Sequence, residues 1–170
     1  FPVTTLLYTT NTPRFKRMAI ALRGQWESAL GVRIELVGKE SKFYRSDLRE
    51  GDFMIARGTW YGDFGDPTTF LDLCRTGDGN NTRAFSDPGI DSALDAAALE
   101  QDAQRRFELL AEVARSLFNE HMPMIPICQV VDVHMYDPSR IFGLSAHPRQ
   151  VQRLWRIKVD HDRMLVEASP

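Results

Sequence analysis

The chain has 170 residues, which suffices for one domain or for one domain with an appended piece. Its 21 Lys and Arg residues against 23 Asp and Glu residues give a formal net charge of −2, so charge offers no basis for binding nucleic acid. No apolar run approaches the roughly 20 residues of a membrane span. The sequence starts at Phe1 without Met or a signal peptide, and we expect it to be a piece of a longer protein.

A β-α-β unit is predicted at the start of the chain. Residues 3–9 form an apolar and β-branched run that is typical of a strand. The Asn-Thr-Pro sequence at residues 11–13 favours a helix start, and apolar side chains then recur at helical spacing until Gly31 ends the helix. Residues 32–37 alternate apolar and polar side chains, which predicts a second strand parallel to the first.

A short helix and a third strand are predicted next. Residues 41–49 indicate a helix with three side chains facing inward: Phe43, Tyr44 and Leu48. Residues 53–56 form a continuous apolar run, Phe-Met-Ile-Ala, which is typical of a short strand buried on both faces.

The most informative stretch is residues 53–71, with the sequence FMIARGTWYGDFGDPTTFL. Here the third strand leads directly into a glycine-rich loop that carries aromatic and charged side chains: Arg57, Trp60, Tyr61, Asp63 and Asp66. Open α/β sheets place ligands at the carboxyl ends of their strands. The loop is therefore the predicted functional site.

The second half of the chain is predicted to be mainly helical. In order, we expect a helix over 67–74 capped by Asp66, a loop over 77–82, a helix from 86–88 to about 100, a helix over 101–120, an apolar strand over 124–133 and a short strand over 154–159. Arg105 and Arg106 are assigned to the solvated face of the long helix. Cys74 and Cys128 could form one disulfide or remain free thiols.

Four sequence blocks in this order carry a resemblance: YTTNTPRFKRMAIALRGQWESALGVRIEL, ARGTWYGDFGDPTTFL, GNNTRAFSDPGIDSALDAA and QRRFELLAEVARSLFNEHMPMIPI. Together, over residues 6–157, they resemble the C-terminal lobe of the family 5 extracellular solute-binding proteins of the oligopeptide and dipeptide type. The resemblance implies an α/β, type II periplasmic-binding-protein-like lobe with a mixed sheet flanked by helices. It implies a partial ligand-binding lobe over residues 1–129, and a C-terminal segment over 130–170 that in the family returns to the other lobe.

The resemblance also implies a function. Such proteins are non-enzymatic receptors of ABC importers, periplasmic or extracellular and in some cases lipid-anchored, and they need no cofactor or metal. The implied partners are a peptide ligand, the other lobe of the same protein and the membrane permease. The family also includes receptors for nickel, haem, sugars and opines, so the identity and length of the ligand stay open.

Site residues carry over from the resemblance by position. Asp63 corresponds to the aspartate that receives the amino terminus of a bound peptide, a role that suits a carboxylate because a buried ammonium must be paired. The alternative is an ordinary solvated loop aspartate. Trp60 corresponds to a tryptophan that lies along the peptide, whereas Tyr61 is equally compatible with ligand contact and with core packing.

Arg57 has two open roles. It could bind a ligand carboxylate through its planar fork, or it could hold Asp63 or Asp66 in place as an ion-pair partner, and we favour the second. Three loop glycines are expected to allow tight turns and close approach to the ligand: Gly58, Gly62 and Gly65.

Two functions from other classes remain as alternatives. One is a ligand-sensing domain of a transcriptional regulator, and the other is a hydrolase. The hydrolase hypothesis finds little in the sequence, because the four histidines (His121, His134, His147 and His161) lack metal-site spacing and no nucleophile or phosphate-binding motif is present.

Overall fold

The computed structural model describes residues 2–131, 133–146 and 151–160. It divides into two compact units, Phe1–Ile125 and Pro126–Pro170, which are described separately. In the part of the chain that is described, no helix combines the length and the apolar character that a bilayer crossing needs.

A three-stranded parallel sheet opens the first unit. Strand β1 (Thr4–Thr9) is followed by helix α1 (Pro13–Leu30) and strand β2 (Ile34–Lys39), and the two strands pair in parallel along their whole length. Strand β3 (Ile55–Ala56) pairs in parallel with the other edge of β1, so the order is β2-β1-β3. The predicted β-α-β unit and the α/β fold class are confirmed.

One face of this sheet packs on α1. Leu6 and Tyr8 of β1 and Ile34 of β2 are buried together with Ala19 and Leu22 of the helix. Helix α1 ends as predicted at Gly31, whose φ of +65° lies in the left-handed region that favours glycine and whose N–H donates to the carbonyl of Glu27.

The second helix and the third strand differ from the prediction in detail. Helix α2 (Ser41–Glu50) partly buries Tyr44, but Phe43 is 60% exposed, because adjacent helical residues point about 100° apart and cannot both face the sheet. Strand β3 spans only two of the four predicted residues, and Met54 is 56% exposed. The expectation of a four-residue strand buried on both faces is wrong.

A helical layer forms the rest of the first unit. Helix α3 (Thr68–Leu71) continues into a 3₁₀ turn, and α4 (Pro88–Leu99) and α5 (Ala103–Ser116) follow, with a π-helical turn at Leu117–His121. Asp87 caps α4 by accepting from the N–H of Ile90. These helices share a core that consists of Leu71, Cys74, Ile90, Leu94, Ala97, Leu110, Val113 and Leu117.

The second unit contains little regular structure. Strand β4 (Ile141–Phe142) pairs antiparallel with β5 (Lys158–Val159), so only the end of the strand predicted over 154–159 is extended; Leu154–Arg156 is a 3₁₀ turn. The strand predicted over 124–133 is absent from the described residues of that range. Val131 is 74% exposed there, and no neighbouring strand supplies hydrogen bonds to its backbone.

Candidate ligand-binding site

The predicted loop, residues 57–66, is hereafter the binding loop. It leaves the sheet at the carboxyl end of β3, as the sequence indicates. The N–H of Arg57 donates to the carbonyl of Leu7 over 2.8 Å, and the Tyr44 hydroxyl donates to the carbonyl of Arg57 over 2.5 Å. Sheet and helix α2 therefore fix the beginning of the loop together.

The side chain of Arg57 lies over an aromatic ring. Its guanidinium carbon is 3.5 Å from the ring centroid of Phe15, and a guanidinium N–H donates to the Thr59 hydroxyl. We expected Arg57 to hold Asp63 or Asp66, but the ion-pair partner of Asp66 in the structure is a residue 40 positions later, Arg106.

Asp66 and Arg106 form a two-pronged ion pair. The two guanidinium nitrogens of Arg106 donate to the two carboxylate oxygens of Asp66 over 2.6 Å and 3.1 Å. Asp66 also accepts from the N–H and hydroxyl of Thr68, over 3.0 Å and 2.7 Å. The hydrogen bonds from Arg106, and then those from Thr68, lower the pKa of Asp66 well below its ordinary range, although burial opposes this.

The assignment of Arg106 to a solvated face is therefore wrong. Its side chain is only 25% exposed, against 54% for Arg105. The signal that was missed is spacing: Arg106 precedes the buried Leu110 by four residues and the buried Val113 by seven, which places it on the inward stripe of α5.

Asp63 lies in a different environment. Its backbone N–H donates to the hydroxyl of Thr69 over 2.9 Å, and Thr69 is 5% exposed, so the backbone is anchored on α3. The residue itself is exposed, and its carboxylate has no ion pair or hydrogen bond with any residue that the structure describes. Of the two loop aspartates, Asp66 is neutralised by the protein and Asp63 faces solvent.

The two aromatic residues of the loop differ in burial. Trp60 is half-buried, and its indole Nε1 is buried without a hydrogen-bond partner within the described ranges. Tyr61 is 57% exposed, so core packing is not its role in this unit. The loop thus presents Tyr61 to solvent beside Asp63.

Among the three loop glycines, Gly62 alone lies against other side chains. A Cβ at this position would be 3.2 Å from Thr69 Cγ2 and 3.3 Å from Phe70 Cζ, so the loop packs closely on α3. Gly58 and Gly65 do not have a positive φ, and a Cβ added at either position would meet no heavy atom within 4 Å. The structure therefore does not require glycine at those two positions.

A metal site in the described part of the chain would need several ligating side chains close together. No group of three or more His, Cys, Asp or Glu side chains there could hold a metal ion. Both cysteines are free thiols, and burial raises the pKa of the Cys74 thiol, which makes it a poor nucleophile. His121 lies 3.8 Å from Asp87, while His147 and His161 lie outside the described residues.

Comparisons with known proteins agree on one family. Residues 2–82 match the family described as bacterial extracellular solute-binding proteins, family 5. The oligopeptide-binding protein OppA of Bacillus subtilis is 35% identical over 139 residues, which cover 81% of this chain and 25% of that protein.

Solved structures show the same relationship. The murein tripeptide binding protein MppA of Escherichia coli has a TM-score of 0.79 and 28% identity over 92% of this chain and 30% of its own. OppA of Haemophilus influenzae, solved in complex with RPPGFSPFR, has a TM-score of 0.79 and 26% identity over 92% of this chain and 31% of its own.

These neighbours are type II periplasmic binding proteins, and the α/β lobe described above has their fold. The chain spans between a quarter and a third of their length. Family match, sequence identity and fold agree in supporting a fragment of a family 5 bacterial extracellular solute-binding protein.

Proposed function

We propose that this chain forms one side of the ligand cleft in an extracellular receptor that delivers oligopeptides or dipeptides to an ABC importer. The relatives described above bind oligopeptides or a murein tripeptide by name, and this chain corresponds to part of their length. The second lobe, the permease as partner, the periplasmic or extracellular location and the lack of enzymatic activity belong to the same proposal. A lipid anchor and the return of residues 130–170 to the other lobe stay predictions.

The Asp63 carboxylate is the observation that carries this proposal. It is exposed on a loop whose backbone is anchored, and no cation within the described residues neutralises it. A peptide ammonium enclosed in a cleft needs a charged partner, because an isolated buried charge is very costly. A carboxylate on an anchored backbone supplies strong hydrogen bonds with less ordering on binding than one on a free loop.

The remaining proposed ligand residues surround Asp63 in sequence. Trp60 and Tyr61 offer aromatic surface for the peptide, and Arg57, held over Phe15, offers a positioned cation. Gly62 brings the loop backbone close to α3. Peptide receptors of broad specificity bind mainly the backbone of the peptide.

Neither alternative function gains support. The relatives described above are binding proteins by name, and none is described as a transcriptional regulator. A hydrolase would need a nucleophile or an acid-base pair at the loop. The neutralised Asp66 and the solvent-facing Asp63 differ in role, and neither has a histidine bonded to it in the described ranges.

The proposal is tested by Asp63→Ala in the full-length protein. We expect free-amine peptides to lose about 10- to 100-fold in affinity, since a hydrogen-bonded charge contributes roughly 1.5–3 kcal/mol. N-acetylated forms of the same peptides, which lack the ammonium, should change by less than about threefold. Isothermal titration calorimetry measures both series.

Asp95→Ala is the control, because Asp95 is a 68% exposed aspartate on α4, outside the binding loop, that pairs with Arg75. It should leave both peptide series unchanged. If Asp63→Ala lowers the affinity for free-amine and N-acetylated peptides equally, Asp63 does not bind the ligand amine. A full-length protein that binds no peptide in either form would refute the peptide proposal itself.

A further inference from the structure

We infer that the Asp66–Arg106 ion pair is a positioning device that holds the Asp63 carboxylate at the ligand. The inference rests on the proposed function, since it concerns how the same site is kept ready for a peptide ammonium. The role assigned to Arg106 is that of a positioning residue, and the inference gives it no contact with the ligand.

The first step is the geometry of the pair. Two parallel N–H···O contacts of 2.6 Å and 3.1 Å fix Asp66 relative to α5, and both side chains are about three-quarters buried. A guanidinium in this arrangement restrains the orientation of the carboxylate as well as its distance, which an ammonium cannot do. The end of the binding loop is therefore tied to a helix of the main core.

The second step leads from Asp66 back to Asp63. Asp66 accepts from the N–H and hydroxyl of Thr68 with its carboxylate, and its carbonyl accepts from the N–H of Thr69 over 3.2 Å. The buried Thr69 then accepts from the N–H of Asp63 over 2.9 Å. The ion pair organises the first turn of α3, and that turn holds the backbone of Asp63.

The third step concerns charge. Asp63 and Asp66 are three residues apart, and two free carboxylates at that separation would compete for a ligand cation. Arg106 neutralises Asp66, so a cation that approaches the loop meets one uncompensated carboxylate. The pair therefore fixes the position of Asp63 and also directs the ligand to it.

The test compares two neighbouring arginines in the full-length protein. Arg106→Gln removes the ion pair, while Arg105→Gln removes an exposed arginine whose partner, Glu108, lies on the same helix. We expect Arg106→Gln to lower the affinity for free-amine peptides about tenfold, as for residues coupled through one network. The affinity for N-acetylated peptides should stay nearly unchanged. Arg105→Gln should leave both unchanged.

A double-mutant cycle separates positioning from general destabilisation. In an Asp63→Ala background, Arg106→Gln should cause no further loss of peptide affinity, because the group that it positions is gone. Hydrogen–deuterium exchange of the binding loop should accelerate in Arg106→Gln and stay unchanged in Arg105→Gln. If Arg106→Gln does not fold, Asp66→Asn is measured instead, because it keeps an acceptor for Thr68 and removes the charge.

The outcomes separate this inference from the proposed function. If Asp63→Ala lowers free-amine affinity but Arg106→Gln and Asp66→Asn do not, the positioning inference is wrong and the proposed function stands. Equal losses of free and acetylated peptides in Arg106→Gln would also overturn it, since a merely structural role predicts that result. If the unmodified protein binds no free-amine peptide, the positioning inference and the proposed function are both wrong.

Discussion

Asn81 provides a direct test of how the segment before α4 is held. Its side-chain amide donates to the carbonyls of Arg75 and Phe85 over 2.9 Å and 2.7 Å, and its side-chain oxygen accepts from the N–H of Phe85 over 3.3 Å. One side chain thus supplies the backbone hydrogen bonds that this loop cannot make to a helix or a strand.

The expected cost of Asn81→Ala follows from these bonds. A neutral hydrogen bond contributes about 0.5–1.5 kcal/mol net, and two short bonds plus one long bond give a loss of roughly 2–3 kcal/mol in unfolding free energy. The adjacent Asn80 is exposed, and its backbone N–H donates to Asp78 over 2.7 Å, a bond that survives substitution of the side chain. Asn80→Ala should therefore cost less than about 0.5 kcal/mol.

Urea unfolding followed by circular dichroism measures both variants. Asn81→Asp adds a third point, because it keeps the shape and the acceptor oxygen but loses both donors, and we expect it to show most of the Ala effect. The slope of the unfolding free energy against urea concentration should be the same for all variants in the series. If Asn81→Ala and Asn80→Ala agree within about 0.5 kcal/mol, the side chain does not hold the loop and the hydrogen-bond argument fails.

Two further predictions concern stability. Gly38→Ala in β2 should lower the unfolding free energy by about 1–3 kcal/mol, because its Cβ would lie 2.8 Å from the hydroxyl oxygen of the buried Tyr8. Gly24→Ala in α1 has open space around it and should instead raise the unfolding free energy by about 0.5–1 kcal/mol. Thermal unfolding distinguishes the two variants. Because the pKa of Asp66 is lowered in the folded protein, its contribution to stability is complete above its ordinary pKa of 3.8 and is lost as the pH falls below that value. Asp66→Asn should therefore make the unfolding free energy less dependent on pH below that value. An equal pH dependence in the unmodified protein and the variant would contradict this.

Local signals were sufficient for much of the fold. Helix α1 begins after Thr12 at Pro13 and ends at Gly31, and α4 begins after its cap Asp87, all as the sequence indicates. These features depend on residues within a few positions of one another, such as a proline at a first turn or a glycine with positive φ. The carboxyl end of β3 was also predictable as the origin of the loop.

Two of the errors concern contacts between distant residues. The partner of Asp66 is 40 residues away on α5, and no local pattern identifies it, although the inward spacing of Arg106 was available. The apolar run from residue 124 has the composition of a strand, but a strand forms only where another backbone pairs with it. The composition of a segment indicates that it has apolar side chains to bury, but the backbone segments next to it determine whether it forms a strand.

The two aspartates of the binding loop illustrate why a site needs both kinds of information. The sequence predicts that Asp66 caps the following helix, and the family resemblance assigns the ligand amine to Asp63, but neither shows which carboxylate has a partner inside the protein. In the structure, Arg106 occupies both oxygens of Asp66, whereas the Asp63 backbone is anchored on Thr69 and its carboxylate is exposed. A carboxylate with an internal partner has its charge compensated within the protein, whereas one without an internal partner can pair with a charge that a ligand brings. Under the proposed function, Asp63 is therefore the loop aspartate that receives the ligand, and the missing charge is the ammonium of a bound peptide.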